Sequence, residues 1–443
     1  MILLRIGIIS LGCPKNQVSA EMMIASLLDA GHEIVDTTEG ADAVIINTCG
    51  FIDDAVREAI ENVLDMVELK NEGVIRKIIV TGCMVEKFRK EIFKEIPEVD
   101  AVVGLGALGN IVSIVDEVFE RDSVYYCPPS CEMPLDGQRS LTTPEYWAYL
   151  RIADGCSNRC SYCLIPSIRG DYRSRKLENI IDEAKQLAET GVKELVLIAQ
   201  DTTYYGKDLY GEYRLPELLN SLCEIDGIEW IRLLYCYPDK MTDELIDVIA
   251  AQEKVLHYID LPVQHGDDKI LKAMNRHGNS DDIRALVNKL RERIPDIVIR
   301  TTVMVGFPGE GEEEFENLAV LINELEFDRL GCFEFSPQEN TPAATMEGAV
   351  DDETKSRRAE IIMNDQFAIM QEKNLSRVGS VCRVLTESYD GYSDSYTGRS
   401  YADAPEIDGV IYFTSEKDLE PGDFVDVLIE EVRDYDLLGR AVS

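Results

Sequence analysis

The sequence predicts an α/β protein in three parts: an N-terminal three-layer parallel sheet, a central partial (β/α)6 barrel and a small C-terminal antiparallel β-barrel. Three observations carry this. In residues 1–118 short apolar runs alternate with helical stretches, and strands separated by helices pair in parallel. From residue 142 the alternation resumes for six repeats, without the seventh and eighth of a closed barrel. Residues 376–443 then turn rich in Val, Tyr, Gly and Asp in short runs, the composition of a small β-barrel.

The N-terminal strands read Ile6–Leu11, Ala43–Asn47, Lys77–Thr81 and Ala101–Leu105, with helical stretches at Ala20–Ala30, Asp54–Leu69 and Val85–Ile96. Residues 119–141 lose periodicity and carry Pro128, Pro129, Pro134 and Gly137, so they read as a linker. In the central part, residues 142–375, the strands read Ala148–Ala153, Glu194–Ala199, Trp230–Leu234, His257–Leu261, Val298–Val305 and Leu330–Phe335. Helices at Leu177–Thr190, Leu215–Cys223, Thr242–Ala251, Asp281–Arg293 and Glu312–Leu325 separate them, and a last helix runs from Asp352 to about Leu375. In residues 376–443 the runs are Ser380–Leu385, Val410–Phe413 and Phe424–Val432.

A chain of 443 residues accommodates such parts at roughly 150 residues each. Its 12 cysteines are too few for a disulfide scaffold of this length. The first apolar run, Ile2 to Leu11, is broken by Arg5 and lacks the flanks of a secretory signal. No apolar run is long enough to span a bilayer, so the expectation is a cytoplasmic protein whose thiols stay reduced unless they hold metal. Lys plus Arg is 44 against 83 Asp plus Glu, a formal charge of −39. Such a chain repels phosphate backbones and attracts basic partners, although an acidic surface also serves solubility alone.

The first strand of the central series runs directly into Ala153-Asp154-Gly155-Cys156-Ser157-Asn158-Arg159-Cys160-Ser161-Tyr162-Cys163. The spacing is Cys-x3-Cys-x2-Cys. Three thiolates in so short a loop can converge on one metal centre, and thiolate-only ligation selects zinc or iron–sulfur clusters. A structural zinc wants four ligands, and no fourth Cys or His lies nearby in sequence. Three cysteines on a four-iron cube instead leave one iron open to a small molecule. The alternatives are a zinc knuckle completed from afar or a loop of plain reduced thiols. The loop, the partial barrel and Tyr162 together resemble the radical S-adenosylmethionine (SAM) superfamily. That resemblance implies a 4Fe-4S cluster on Cys156, Cys160 and Cys163 whose open iron chelates SAM. It implies one-electron cleavage of SAM to methionine and a 5′-deoxyadenosyl radical, with Tyr162 near the adenine. The alternative for Tyr162 is an ordinary core aromatic.

A second trio is dispersed. Cys13, Cys49 and Cys83 each follow an N-terminal strand, and each has a glycine beside it, Gly12, Gly50 and Gly82. In an open parallel sheet ligands bind at the carboxyl ends of strands, so these three thiols can meet although far apart in sequence. The glycines let backbone approach closely. The expectation is a second cluster with an open iron facing the barrel mouth; the alternative is three buried thiols. With Ser10-Leu11-Gly12-Cys13-Pro14-Lys15-Asn16, Asn47-Thr48-Cys49-Gly50-Phe51-Ile52 and Thr81-Gly82-Cys83 in view, essentially the whole chain resembles the methylthiotransferases. The C-terminal barrel resembles their TRAM domain. The resemblance implies two 4Fe-4S clusters and two uses of SAM, as methyl donor to sulfur and as radical source, to insert a methylthio group at an unactivated carbon.

Within that family some members act on tRNA adenosine and one branch acts on ribosomal protein S-twelve of the small subunit. Gly12-Cys13-Pro14-Lys15-Asn16, the run Cys163 to Gly170 and Leu261-Pro262-Val263-Gln264-His265 resemble the second branch, which implies a methylthio group added to the β-carbon of one aspartate. The tRNA enzymes more often carry glutamine-methionine after the first cysteine and serine in place of His265. Residues 376–443 hold six Lys/Arg and fifteen Asp/Glu, a formal −9. A barrel that held tRNA would be basic, so the charge disfavours tRNA and favours a basic protein. An iron–sulfur carrier or electron-transfer protein is the alternative from another class. The enzyme reading also calls for an electron donor, with the chain as a monomer.

Other positions are open to two readings each. Gln200 and Asp201 end a strand and either face SAM and substrate or cap a loop. Gly306, in Gly306-Phe307-Pro308-Gly309-Glu310, either approaches the methionine part of SAM or makes the turn into a helix. His265 either contacts substrate or holds a turn, and Arg300 is a weak candidate for the barrel interior. Cys127 and Cys131 have no identifiable partners, and Cys223, Cys236, Cys332 and Cys382 read as small buried apolar residues.

Overall fold

The computed structural model describes residues 3–442 except Glu39 and Asp122. The N-terminal part is a six-stranded, wholly parallel sheet formed by β1 (Arg5–Ser10), β2 (Glu33–Val35), β3 (Ala43–Thr48), β4 (Lys77–Gly82), β5 (Ala101–Val103) and β6 (Val124–Tyr126). Their spatial order is 2-1-3-4-5-6. Every residue of β3 is buried, because helices cover both faces. Alternate side chains divide between the two cores: Ile45 packs with the helices Pro14–Asp29 and Ile111–Glu120, Val44 and Ile46 with the helix Asp53–Asn71. The order reverses between β1 and β3, so the carboxyl ends of these two strands flank a switch point, where open α/β sheets bind ligands.

Four details differ from the sequence reading. The first helix starts at Pro14 rather than near Ala20, with proline at a position that needs no N–H. The helix expected over Val85–Ile96 is two short ones, Cys83–Phe88 and Glu91–Glu95, split at Arg89 with φ 47°. The edge strands β2 and β6 have three residues each, too few to show a period. Thus β6 draws part of the 119–141 stretch into the sheet. The rest is tied down: Arg139 bonds Glu21 of the first helix and Glu183 on a helix of the central part.

The central part is an open sheet of six parallel strands, β7 (Trp147–Arg151), β10 (Glu194–Ile198), β11 (Trp230–Leu233), β12 (Val255–Asp260), β13 (Val298–Val305) and β14 (Arg329–Glu334). Between β7 and β10 a two-stranded ribbon, β8 (Ala153–Asp154) with β9 (Arg173–Ser174), clasps the base of the Cys156–Cys163 loop. The outer face is buried under helices in the largest core of the molecule. The inner face carries Tyr149, Val196, Ile198, Leu234 and Tyr258.

The C-terminal part is a closed five-stranded barrel of β15 (Val381–Asp390), β16 (Ser395–Ser400), β17 (Ile411–Thr414), β18 (Phe424–Arg433) and β19 (Asp436–Ala441), in the order 15-16-17-19-18. It is antiparallel as expected except at one seam, where β17 and β19 run parallel. That departure follows from closure: five strands, an odd number, cannot alternate in direction all the way round a closed barrel. The barrel is seated on the foot of the half-barrel. Ala402 and Ala404 pack beside Tyr149 and Tyr258, and Tyr258 bonds Asp408. Glu194 pairs with Arg232 and Arg399 in a fully buried cluster. With the foot sealed, the strand carboxyl ends are the face left for a site. No helix among the described residues is long and apolar enough to cross a membrane.

Candidate active site

The central cysteine loop leaves the β8–β9 ribbon through Gly155, whose φ is 80° and where a Cβ would strike the backbone of Gly170 and Asp171. Arg159, in the middle of the loop, also adopts a left-handed conformation, at φ 56°. Such backbone persists only where the surroundings impose it. The loop is anchored by Asn158, which donates to Asp201 and accepts from Lys240, while Lys240 pairs with Asp201 at 3.2 Å. Cys156 and Cys160 are buried and Cys163 is half-buried. The Cys160 sulfur lies 2.7 Å from the Tyr237 hydroxyl, and the Arg276 guanidinium lies 3.9 Å from the centre of the Tyr237 ring. Burial pushes the Cys156 thiol up to about 11 and raises Cys163 further.

Cys13, Cys49 and Cys83 stand at the carboxyl ends of β1, β3 and β4, three adjacent strands, with Cys13 and Cys49 on either side of the switch point. Their glycines are needed for the approach. A Cβ on Gly12 would lie 2.7 Å from the Cys49 Cβ; one on Gly50 would lie 2.8 Å from the Cys83 backbone. Gly82 has φ 98°, and a Cβ there would collide with the Thr48 backbone. Cys13 caps the Pro14–Asp29 helix. Burial raises its thiol, but Lys15, Arg169 and the N–H groups of Asn16 and Lys15 outweigh burial and leave it below the ordinary value. Cys83 also stands at a helix start, that of the short helix Cys83–Phe88, but there burial dominates and pushes the thiol up to about 12.

Arg169 joins the two groups. From the loop after the central cysteines it donates to Asp154 at 2.6 Å, to Asn16 at 2.5 Å and toward the Cys83 sulfur at 3.5 Å, all buried. Asp154 is two residues before Cys156. One guanidinium therefore spans from the base of one cysteine loop to a thiol of the other group, a use that suits its planar fork.

The donor sets suit iron–sulfur clusters. Each group is three thiols with glycine-cleared approach. Among the described residues no three His, Cys, Asp or Glu side chains close on a point as ligands of a single metal ion. Thiolates on a cubane do not converge in that way, since each binds its own iron.

The remaining candidates separate. Gln200 is the informative one: neither end of its buried amide has a hydrogen-bond partner. An unmet buried polar group costs about 1–3 kcal/mol, and both ends of this amide are free to bond a ligand. Asp201 is spent on Asn158, Lys240 and Thr203, the loop-holding role. Tyr162 packs against a cluster with Phe307 and Phe335 between its two cysteines. Gly306, at φ 74°, makes a turn: its N–H donates to Glu310 and a Cβ would strike Lys355. His265 is fully buried. Its Nδ1 accepts from the Asp267 N–H, which places the proton on Nε2, 3.2 Å from Glu310, so it holds a turn. Arg300 does face the barrel interior, on Asp260 at 2.9 Å. Sequence reasoning gave no role to Arg169, Tyr237, Arg276 or Lys240, whose partners are distant in the chain.

Comparison with known proteins follows the same three parts. Residues 150–322 match the Radical SAM superfamily, residues 378–442 the TRAM domain, and residues 5–104 a family described only as uncharacterized protein family UPF0004. The chain is 48% identical over 437 residues to the ribosomal protein uS12 methylthiotransferase RimO of a Thermoanaerobacter species, covering 98% of this chain and 99% of the relative. RimO of Caldanaerobacter subterraneus is 50% identical with the same coverages, and RimO of Clostridioides difficile is 46% identical over 99% of this chain and 98% of its own. Among solved structures, the radical SAM methyltransferase TsrM of Kitasatospora setae, with cobalamin and a 4Fe-4S cluster bound, aligns at TM-score 0.58 and 14% identity, covering 77% of each chain. The cobalamin-dependent radical SAM enzyme OxsB aligns at 0.52 and 11%, over 84% of this chain and 56% of its own. These two are likenesses of fold.

Proposed function

The chain belongs to the family of ribosomal protein uS12 methylthiotransferases, and we propose that it adds a methylthio group to the β-carbon of an aspartate of uS12 by radical SAM chemistry. The observation that supports this most is the pairing of two three-thiol groups across the buried Arg169 bridge. In this reading Cys156, Cys160 and Cys163 hold one 4Fe-4S cluster, and Cys13, Cys49 and Cys83 hold another. When bound, these cofactors supply one-electron cleavage of SAM at the first group and sulfur, methylated by SAM, at the second.

The protein's own residues do the rest. Burial of Cys156, Cys160, Cys49 and Cys83 keeps water from both groups. The Tyr237 hydroxyl, backed by Arg276, offers Cys160 a hydrogen bond that tempers a thiolate's charge. Gln200 offers its unpaired amide to SAM, and the Gly306 turn and Tyr162 complete the wall beside it. The C-terminal barrel, at a formal −9, suits a basic ribosomal protein. The chain works as a monomer in the cytoplasm with an external one-electron donor.

Anaerobic reconstitution should load about eight irons, four for each cubane. With dithionite and SAM the protein should then place a methylthio group on an aspartate of a uS12 peptide, read by mass spectrometry. Modification of tRNA and not of the peptide would overturn the substrate, and loading of only about four irons would overturn the second cluster.

A further inference from the structure

Nine Lys and Arg residues are buried among the described residues, and eight of them pair with a carboxylate. Lys15 is the exception. It is 5% exposed, and its ammonium lies 3.4 Å from the centre of the Tyr235 ring. The groups that act on it most are Tyr235, Cys13 and Arg169, none of them a carboxylate. A chain with 83 acidic residues does not lack counter-ions, so this vacancy is particular to the place. The ammonium's company is the aromatic face and hydroxyl of Tyr235 and the sulfur of Cys13, with no carboxylate among them.

The place is between the two cysteine groups. Lys15 follows Cys13 by two residues, at the start of the first helix. Tyr235 follows β11 on the rim of the half-barrel, and its near neighbour Tyr237 touches Cys160. Tyr235 itself is held at φ 61° by a bond from its N–H to Asp260. Among the described residues, the one buried Lys or Arg with no carboxylate partner therefore stands between the two cysteine groups.

We propose that Lys15 receives the side-chain carboxylate of the acceptor aspartate. This rests on the functional reading above and adds how that residue is recognised. A compact ammonium reads charge without demanding the two-pronged geometry that a guanidinium imposes, and leaves the adjoining β-carbon accessible. The carboxylate completes the pair that the fold leaves open, so an aspartate is preferred over an isosteric amide.

The test is binding of two fluorescein-labelled uS12 peptides, one with the acceptor aspartate and one with asparagine in its place, to the reconstituted protein with SAM. The wild-type protein should prefer the aspartate peptide about 30-fold, the strength of a desolvated charged hydrogen bond. In Lys15→Met that ratio should fall to near one, with 5′-deoxyadenosine formation and affinity for the asparagine peptide unchanged. Affinity for the asparagine peptide also reports folding, and Lys15→Gln, which keeps a polar contact to Tyr235, should show the same collapse. Lys15→Arg should retain a preference of about tenfold. A ratio that survives in Lys15→Met and Lys15→Gln would overturn the proposal, as would a wild-type protein that binds both peptides equally. Failure of the functional reading looks different: the wild-type protein would then methylthiolate neither peptide.

Discussion

In the half-barrel three cysteines share eight residues of one loop; in the N-terminal sheet three cysteines come from strand ends more than thirty residues apart. The loop depends on local conformation, namely Gly155 and Arg159 in left-handed backbone and the β8–β9 clasp. The dispersed group depends on the order of the sheet, because β1, β3 and β4 must be neighbours before their ends can meet. A local site survives damage elsewhere, whereas a topological site fails with the sheet that carries it.

The sharpest way to break this comparison is to delete one thiol from each group. Cys156→Ala should remove about half of the iron and abolish SAM cleavage, and with it all product. Cys83→Ala should also remove about half of the iron, yet leave 5′-deoxyadenosine formation in place while the methylthio product disappears. Iron analysis, chromatography of the nucleoside and peptide mass spectrometry separate the two. Loss of SAM cleavage in both variants would mean that the groups do not function independently.

Next in size is the connection between them. Arg169→Leu leaves Asp154 buried with only Arg151, 3.8 Å away, as its counter-ion. Removing one partner from a buried pair destabilises by about 3–5 kcal/mol. Denaturant titration of the apoprotein should show that loss, with Arg169→Lys intermediate because one amine cannot reach both Asp154 and Asn16. A change below about 1 kcal/mol would show that the bridge is replaceable by solvent.

The same contrast explains what was legible beforehand. The central loop declares itself by spacing. The dispersed trio shows because each cysteine ends an apolar run and has a glycine beside it. What links them does not show. Arg169 sits inside a motif that reads as a unit, and its partners Asn16 and Cys83 lie 153 and 86 positions away. Lys15 is similarly mute until the fold brings Tyr235 over it. The small strands β2 and β6 are too short to carry a period, and the parallel seam of the barrel follows from closure, which no local pattern encodes.

The smallest effect separates side chains that hold the groups from those that serve a ligand. Beside the dispersed trio, Asn16 is fully engaged, donating to Leu11 and Thr48 and accepting from Arg169. Beside the central loop, the half-buried Gln200 has no partner at either end of its buried amide. A structural amide loses stability when replaced by an apolar group, but an unmet one gains it. Gln200→Met should therefore stabilise the apoprotein by about 1 kcal/mol in thermal melts. The same change should weaken SAM binding by about tenfold, because the bonds the amide would make exist only with the ligand present. Destabilisation of the apoprotein with unchanged SAM affinity would place Gln200 with Asn16 instead, as part of the scaffold.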